Sequence, residues 1–83
     1  MKQETLLENL DKIHTTEMGI DRIKKNLDLN TLEVVKWCKD KIKDNSKITR
    51  IGKNWYVEKD NIIFTINAFS YTIITAHKKR NTR

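Results

Sequence analysis

Residues 52–79, GKNWYVEKDNIIFTINAFSYTIITAHKK, decide the fold of this chain. Short runs rich in Ile, Tyr, Trp, Phe and Thr are separated there by turn residues at nearly even spacing, which is typical of an antiparallel meander. We predict strands at residues 47–51, 54–58, 61–67 and 70–76. A sheet of this kind has one face for a core and one for water, so we expect any site on the polar face.

Side-chain alternation along these strands divides the sheet into an inner face, which should contact the helices, and an outer face. The predicted inner face consists of Trp55, Val57, Ile62, Phe64, Ile66, Tyr71 and Ile73. The predicted outer face consists of Thr49, Tyr56, Ile63, Thr65, Asn67, Ser70, Thr72 and Ile74. A one-residue slip of register would exchange the two sets. The register is supported because the large apolar residues of three strands fall on the same face.

Apolar residues upstream of the sheet recur at helical spacing. They are Leu6, Leu10, Ile13, Ile20, Ile23 and Leu27. We predict two helices within residues 3–27, with a break between His14 and Gly19, and Thr15 or Thr16 as the cap of the second helix. Glu17 in its first turn suits the positive end of the helix dipole.

A third helix is predicted after residue 30. Asn30 and Glu33 resemble a capping box. The apolar positions of this helix are Val34, Val35, Cys38 and Ile42. Trp37 lies at the margin of the apolar stripe and should pack the helix against the sheet.

These elements predict the α+β class, with two or three N-terminal helices packed on one face of a four-stranded antiparallel meander sheet. We expect residues 1–77 to form a single α+β domain. The remaining residues, 78–83, should form a basic and frayed C-terminal tail.

Positive charge is concentrated in two zones of this 83-residue chain, whose formal net charge is +6. Residues 36–53 hold seven Lys or Arg against two acidic residues, and the tail KKRNTR holds four basic residues. Such zones favour polyanions, among them RNA, nucleotide phosphates and acidic proteins. The alternative is a solvated, Lys-rich helix face without a ligand.

Several classes of protein are excluded by composition. No apolar run is long enough to cross a bilayer, and the start MKQETLLENLDKIH lacks the pattern of a signal peptide, so we expect a cytoplasmic protein with no membrane partner. A single cysteine, Cys38, cannot form an internal disulfide and should be a small buried residue. His14, Cys38 and His77 match no zinc signature, so we expect neither a metal nor a cofactor.

The segments TEMGIDRIKKNL, GKNWYV and TINAFSYTIITAHK resemble a family of short bacterial proteins classed as a domain of unknown function. The resemblance covers nearly the whole chain. The positions that carry it are Thr16, Glu17, Arg22, Ile23, Lys25, Leu27, 52–56, 65–67 and 71–75. His77 stands where we expect other members to carry Asp. The family implies no activity.

More distantly, helices followed by an antiparallel sheet are similar in layout to the small metal-independent ribonucleases of the RelE, barnase and colicin type. Cleavage of RNA without a metal needs a base for the 2′-hydroxyl proton, an acid for the leaving oxygen, and cations near the phosphate. The catalytic candidates are His77, Tyr56 and Glu17. The candidates for binding phosphate or nucleic acid are Arg22, Lys25, Lys53, Thr65 and Thr72.

Two functions therefore stay open. The first is a small basic protein that engages RNA or another phosphate-bearing partner, with ribonuclease or toxin activity as its finer form. The second is a non-catalytic interaction module, either a homodimer or a regulator of another protein, that uses an exposed sheet edge or the surface around Trp37. Each candidate residue also has a plainer role, since Thr and Tyr are good strand formers and Arg22 can pair with a nearby carboxylate.

Overall fold

A computed structural model of the protein describes residues 6–43 and 46–79. Residues 6–8 are helical, and a 3-10 turn, η1, follows at Leu10–Lys12. Two helices come next, α1 at Glu17–Leu27 and α2 at Val34–Lys43. The strands are β1 (Lys47–Ile51), β2 (Asn54–Lys59), β3 (Ile62–Asn67) and β4 (Ile73–Lys78). They form one antiparallel sheet in the order β1-β2-β3-β4, which confirms the predicted α+β meander.

The predicted break in the N-terminal helical region is confirmed, and Thr16 is the cap of α1. Its side-chain oxygen accepts a hydrogen bond from the backbone N–H of Gly19 at 3.0 Å. Glycine is also the only residue type that fits at position 19 unless Thr15 moves, because a Cβ added to Gly19 would lie 2.1 Å from Thr15 Oγ1. Gly19 lowers the helix propensity of this segment, but it allows Thr15 and Thr16 to pack closely against the first turn of α1.

The predicted capping box of the third helix is wrong. Helix α2 begins at Val34, and the backbone N–H of Glu33 donates to Thr31 Oγ1 at 3.0 Å. Asp28, in a left-handed conformation with φ 58°, ends α1 shortly before. The residues between the two helices thus form a connection in which Thr31, and not Asn30, satisfies an amide near the start of α2.

The core lies between the inner face of the sheet and the two helices. Helix α1 packs against β4, and helix α2 packs against β2. The buried apolar residues are Leu6, Ile13, Ile23, Leu27, Val34, Cys38, Ile42, Ile48, Trp55, Val57, Phe64, Ile66, Ile73 and Ala76. Burying a large apolar side chain contributes about 1.5–3 kcal/mol, so this set dominates the stability of so small a domain. The predicted inner face is confirmed, with Ile62 and Tyr71 packed half-buried at its margin.

Trp37 and Cys38 occupy the positions expected of them. The ring of Trp37 lies 6.4 Å from that of Phe64, centroid to centroid, so it does pack α2 against the sheet. Lys41 lies over the same ring at 5.6 Å and donates to the carboxylate of Asp60 at 2.8 Å. This contact joins α2 to the β2–β3 turn, and it lowers the pKa of Asp60. Cys38 is fully buried.

The first three strands match their predicted positions to within a residue, but the predicted start of the fourth strand is wrong. Residues 68–72 form a loop instead, because Asn67 Oδ1 accepts hydrogen bonds from the backbone N–H groups of Phe69 and Ser70, each at 2.9 Å. Tyr71 then adopts a left-handed conformation with φ 61°. The strand resumes at Ile73.

A β-bulge shifts the register between β3 and β4. Ile66 pairs with Ile73, whereas Thr65 pairs with Thr75, so Ile74 is the extra residue. The bulge reverses the alternation along β4. Thr75 therefore faces outward beside Thr65, and Ala76 is buried opposite Phe64.

β4 extends to Lys78, one residue into the segment expected to be a tail. The backbone N–H of Lys79 donates to the carbonyl of Asn61 at 2.6 Å. The Lys79 ammonium also donates to the carboxylate of Glu58, and this hydrogen bond lowers the pKa of Glu58. The rest of the expected tail, residues 80–83, lies outside the described residues.

Candidate nucleic-acid interface

One end of the sheet gathers polar and basic residues from three separate segments of the chain. The β1–β2 turn and the β3–β4 loop meet there, since the backbone N–H of Ala68 donates to the carbonyl of Lys53 at 2.8 Å. The segment before α1 joins them through two backbone hydrogen bonds of His14, to Tyr71 at 3.1 Å and to Ile73 at 2.7 Å. We call this region the loop end, defined by His14, Arg50, Lys53, Asn67, Phe69, Ser70 and Thr72.

Glycine is needed at one position of the loop end. Gly52 has a φ of 60°, whereas Lys53 is outside the positive-φ region, and this is the pattern of a type II′ hairpin turn. An added Cβ at Gly52 would meet open space, so its requirement is conformational and not steric. The turn presents the side chain of Lys53 to solvent.

A continuous chain of hydrogen bonds crosses the loop end. His14 Nε2 lies 3.1 Å from Thr72 Oγ1, which lies 2.7 Å from Ser70 Oγ. Ser70 Oγ in turn donates to Asn67 Oδ1 at 3.2 Å. The other ring nitrogen, Nδ1, contacts the carbonyl of Lys12 at 2.9 Å. The chain holds the His14 ring and two hydroxyl groups in fixed relative positions at the surface.

The contact with Lys12 decides where one hydrogen of the His14 ring lies. A carbonyl only accepts, so the hydrogen bond requires a hydrogen on Nδ1. In the neutral ring, Nε2 has a lone pair, and it accepts from the hydroxyl of Thr72 only if that hydroxyl gives up its bond to Ser70, whose own hydrogen is donated to Asn67 Oδ1. In the charged ring, Nε2 donates to that hydroxyl instead. Hydrogen bonds on both ring nitrogens fix the orientation of the imidazole at the surface.

Arg50 and Phe69 form the second feature of the loop end. The guanidinium carbon of Arg50 lies 5.7 Å from the ring centroids of both Trp55 and Phe69. Its Nε donates to the carbonyl of Gly52 at 2.9 Å, which fixes the guanidinium next to the turn. The side chain of Phe69 is 73% exposed. The result is a solvated aromatic ring held beside a positioned cation and close to Lys53.

A row of hydroxyl groups on the outer face leads away from the loop end. Thr49 pairs with Tyr56, Tyr56 with Thr65, and Thr65 with Thr75. Asn54 connects this row to the loop end, because its side-chain amide donates to the Tyr56 hydroxyl at 3.5 Å and its backbone pairs with Asn67. Four strands therefore present neighbouring hydroxyls on the face that the described helices leave uncovered.

The structure divides the phosphate-binding residues predicted from sequence. Lys53 and Thr72 lie at the loop end, and Thr65 lies in the adjacent hydroxyl row. Arg22 and Lys25 lie elsewhere, on the exposed side of α1, which covers the inner face. They line a shallow groove along that helix. The structure does not bring these two cations together with the hydroxyl groups of the outer face.

The three predicted catalytic residues are also separate. Tyr56 lies in the hydroxyl row, and Glu17 begins α1. His77 lies on β4 opposite Ile63, where its Nδ1 contacts the carbonyl of Lys78 at 3.1 Å. Tyr56 and His77 are two strands apart, which is about 10 Å across a sheet. No hydrogen bond or ion pair joins any two of these three residues within the part of the chain that the structure describes.

Sequence reasoning did not predict the contacts of Arg50 with Trp55 and Phe69, or the hydrogen bonds that connect His14, Asn67 and Ser70. Asn67 followed by Ser70 is a recognisable side-chain cap of a loop, a signal that was available in the sequence. The proximity of His14 to Thr72 was not available, because these residues are 58 positions apart. Within the described residues there is no cluster of His, Cys, Asp and Glu that fits a metal ion.

The helices of residues 6–43 are too short and too polar to span a membrane. No curated protein and no solved structure matches the chain. A family model described as "Protein of unknown function (DUF3781)" matches residues 7–77, which include the whole loop end, helices α1 and α2, and all of the sheet except Lys78 at the end of β4. The chain therefore belongs to the DUF3781 family, as its sequence motifs indicate.

Proposed function

We propose that the protein binds single-stranded RNA at the loop end. The observation that carries the proposal is the exposed ring of Phe69, held 5.7 Å from the Arg50 guanidinium and next to the Lys53 turn. Proteins that bind single strands combine cations that meet the phosphates with aromatic rings on which bases stack. Both parts are present here within one surface.

The hydroxyl and amide groups around the Phe69 ring would bind the ribose and phosphate groups of the same RNA strand. Ser70 and Thr72 are exposed or half-exposed at the loop end, and Tyr56 and Thr65 continue the polar surface along the outer face. Such groups hydrogen-bond the 2′-hydroxyl or a phosphate oxygen. The strand would run from Lys53 onto the hydroxyl row, with one base on Phe69.

Substitution of Phe69 and Lys53 tests the binding proposal. We expect Phe69→Ala to weaken binding of a fluorescent single-stranded RNA about 10-fold, because base stacking contributes about 1–3 kcal/mol. We expect Lys53→Ala to lower the slope of log K against log salt concentration by about 0.7, because one phosphate contact is lost. Fluorescence anisotropy across a salt series measures both effects.

Lys36→Ala is the matched control, since it removes the same charge from the exposed face of α2, where Lys36 pairs with Asp40 at 3.6 Å. Its effect on RNA binding should be much smaller than that of Lys53→Ala. Equal losses for the two lysine variants, together with no loss for Phe69→Ala, would mean that RNA is attracted only by net charge. The loop end would then not be the site.

Metal-independent cleavage of the bound strand is the finer form of this proposal, and the position of His14 favours it. His14 Nε2 would accept the proton of a ribose 2′-hydroxyl, the 2′-oxygen would bond to phosphorus, and the 5′-oxygen would leave and take a proton from solvent. Lys12, two residues before His14 and with its ammonium 5.6 Å from the centroid of the Tyr71 ring, would be the cation for the charge that develops on the phosphate.

We expect cleavage of RNA in the presence of a metal chelator, with His14→Ala reducing the rate by about 100-fold or more, as removal of a general base typically does. Electrophoresis of end-labelled RNA measures the rate, and a terminal 2′,3′-cyclic phosphate is the expected product. Loss of activity in His77→Ala but not in His14→Ala would place the base at the far end of β4. An absence of cleavage by the wild-type protein would leave only the binding function.

A further inference from the structure

Within the described residues, other parts of the chain form hydrogen bonds with one edge of the sheet, β4, and not with the other edge, β1. The edge of β4 is occupied near its start, where the backbone of His14 bonds to Tyr71 and Ile73. Side chains occupy it further along. Thr15 Oγ1 donates to the carbonyl of Ile73 at 2.9 Å, and Asn26 Nδ2 donates to that of Ala76 at 3.2 Å. No further strand is able to add there without displacing these groups.

The edge of β1 has no such cover among the described residues. In a two-residue hairpin, the pair that flanks the turn exchanges backbone hydrogen bonds, and pairs that do so alternate with pairs that do not. Strand β2 is therefore hydrogen-bonded to the backbone groups of every second residue of β1. The pairs are Ile51 with Asn54, Thr49 with Tyr56, and Lys47 with Glu58. The backbone N–H and C=O groups of Ile48 and Arg50 point away from the sheet, and no described group bonds to them.

The positive charge near this open edge indicates that its partner is acidic. Residues 46–57 contain Lys47, Arg50 and Lys53 and no acidic residue. Arg50 lies on the inner side of β1, and Lys47 lies on its outer side, opposite Glu58 of β2, so each side of the edge carries one basic residue of β1. Natural proteins usually protect exposed edges with lysine, which discourages pairing between like chains. The same cations attract a strand of opposite charge.

We propose that the open edge of β1 binds an extended acidic segment of a partner protein by strand addition. The added strand would bond to the backbone of Ile48 and Arg50, and its carboxylates would face Arg50 and Lys47. A second copy of this chain fits less well, because each copy carries a net charge of +6 and would bring its own Lys47 and Arg50 to the interface.

A short synthetic peptide that repeats Val-Val-Glu-Glu is the probe, because this repeat places glutamate on both faces of an added strand. Its binding to the whole protein is measured by isothermal titration calorimetry. The decisive comparison is between Arg50→Ala and Arg50→Pro. Both variants lack the guanidinium, so both should lose the same share of RNA binding. Only proline also lacks the N–H at the open edge, and it does so without removing a bond to β2.

We expect Arg50→Ala to weaken peptide binding several-fold and Arg50→Pro to weaken it about 10-fold further, because a backbone hydrogen bond is lost and the ring obstructs the edge. A peptide with lysine in place of glutamate should not bind. Equal binding by the two Arg50 variants, or equal binding of the two peptides, would overturn the proposal.

Hydrogen exchange of the wild-type protein provides a second measurement if Arg50→Pro does not fold. The Arg50 amide should exchange rapidly in the protein alone and at least 10-fold more slowly with the peptide, as expected for an amide that gains a strand partner. An unchanged rate would overturn the proposal, as would light scattering that shows a dimer which the peptide does not dissociate.

Discussion

Replacement of Phe64 with alanine is expected to destabilise the fold by about 3–5 kcal/mol, the usual cost of removing a fully buried aromatic ring. Phe64 lies on β3 with no exposed surface. Val57 and Ala76 flank it on the neighbouring strands, and the ring of Trp37 covers it from α2. Since small domains have stabilities of about 5–15 kcal/mol, a large part of the total is lost. Urea unfolding followed by circular dichroism measures the change.

Phe69→Ala is the control, because it removes the same ring from the 73% exposed position on the β3–β4 loop. Its loss should be under about 1 kcal/mol, the usual value of an exposed cation–π contact such as the one with Arg50. Similar losses in the two variants would contradict the assignment of Phe64 to the core. The two variants also distinguish an effect on stability from an effect on binding. Phe64→Ala should lower the free energy of unfolding, whereas Phe69→Ala should lower the affinity for RNA.

Cys38 is expected to be nearly inert to thiol reagents in the folded protein. Burial raises the pKa of its thiol from 9.0 to about 12. The reactive species is the thiolate, so a rise of about three pH units lowers the thiolate fraction about 1000-fold near neutral pH. We expect alkylation by iodoacetamide at pH 8 to be slower by at least this factor in the native protein than in urea. Mass spectrometry of the intact chain measures the rate, and Cys38→Ala shows any labelling at other residues.

The same pKa shift sets a pH dependence of stability. The pKa is higher in the folded state than in the unfolded state, so the contribution of this thiol is complete below about pH 9. It declines as the pH rises from 9 towards 12, because the unfolded chain loses the proton first. Equal alkylation rates in the native protein and in urea, or a stability that is unchanged over this pH range in comparison with Cys38→Ala, would contradict burial of the thiol.

Much of the fold follows from local patterns. Alternation of apolar residues placed Trp55, Phe64 and Ile73 on one face, and Gly52 marked the β1–β2 turn correctly. Helical spacing and the hydroxyl of Thr16 placed the start of α1. Each of these signals operates over a few residues, which is the range over which a single sequence is informative.

The loop after Asn67 and the bulge at Ile74 were not predictable in the same way. TINAFSYTIIT alternates well enough to continue as a strand, and only the side-chain cap by Asn67 and the left-handed Tyr71 interrupt it. The bulge then decides which residues of β4 face outward, so Thr75 joined the hydroxyl row and Ala76 joined the core. The register of β4 is set by its pairing with β3, and the residues of β4 alone do not indicate it.

The candidate site was predictable in part for a related reason. Lys53 and Thr72 could be identified because turns and strand ends display polar residues. Arg22 and Lys25 were grouped with them, although α1 lies across the inner face. Arg50 was not recognised, since its position depends on two aromatic rings from other elements. The side of a sheet on which a helix packs is a property of the whole chain.

The pairing of His14 with Thr72 has a consequence for biosynthesis. Residues 58 positions apart must meet before the edge of β4 is complete, and Ile73 and Ala76 of the core also come from the last part of the chain. Closing so long a loop is entropically costly and slows folding. While the ribosome still holds the final strand in its exit tunnel, the emerged helices have no surface to dock on. The native fold should therefore form only after β4 has left the exit tunnel, and the helices that have emerged should depend on chaperones until then.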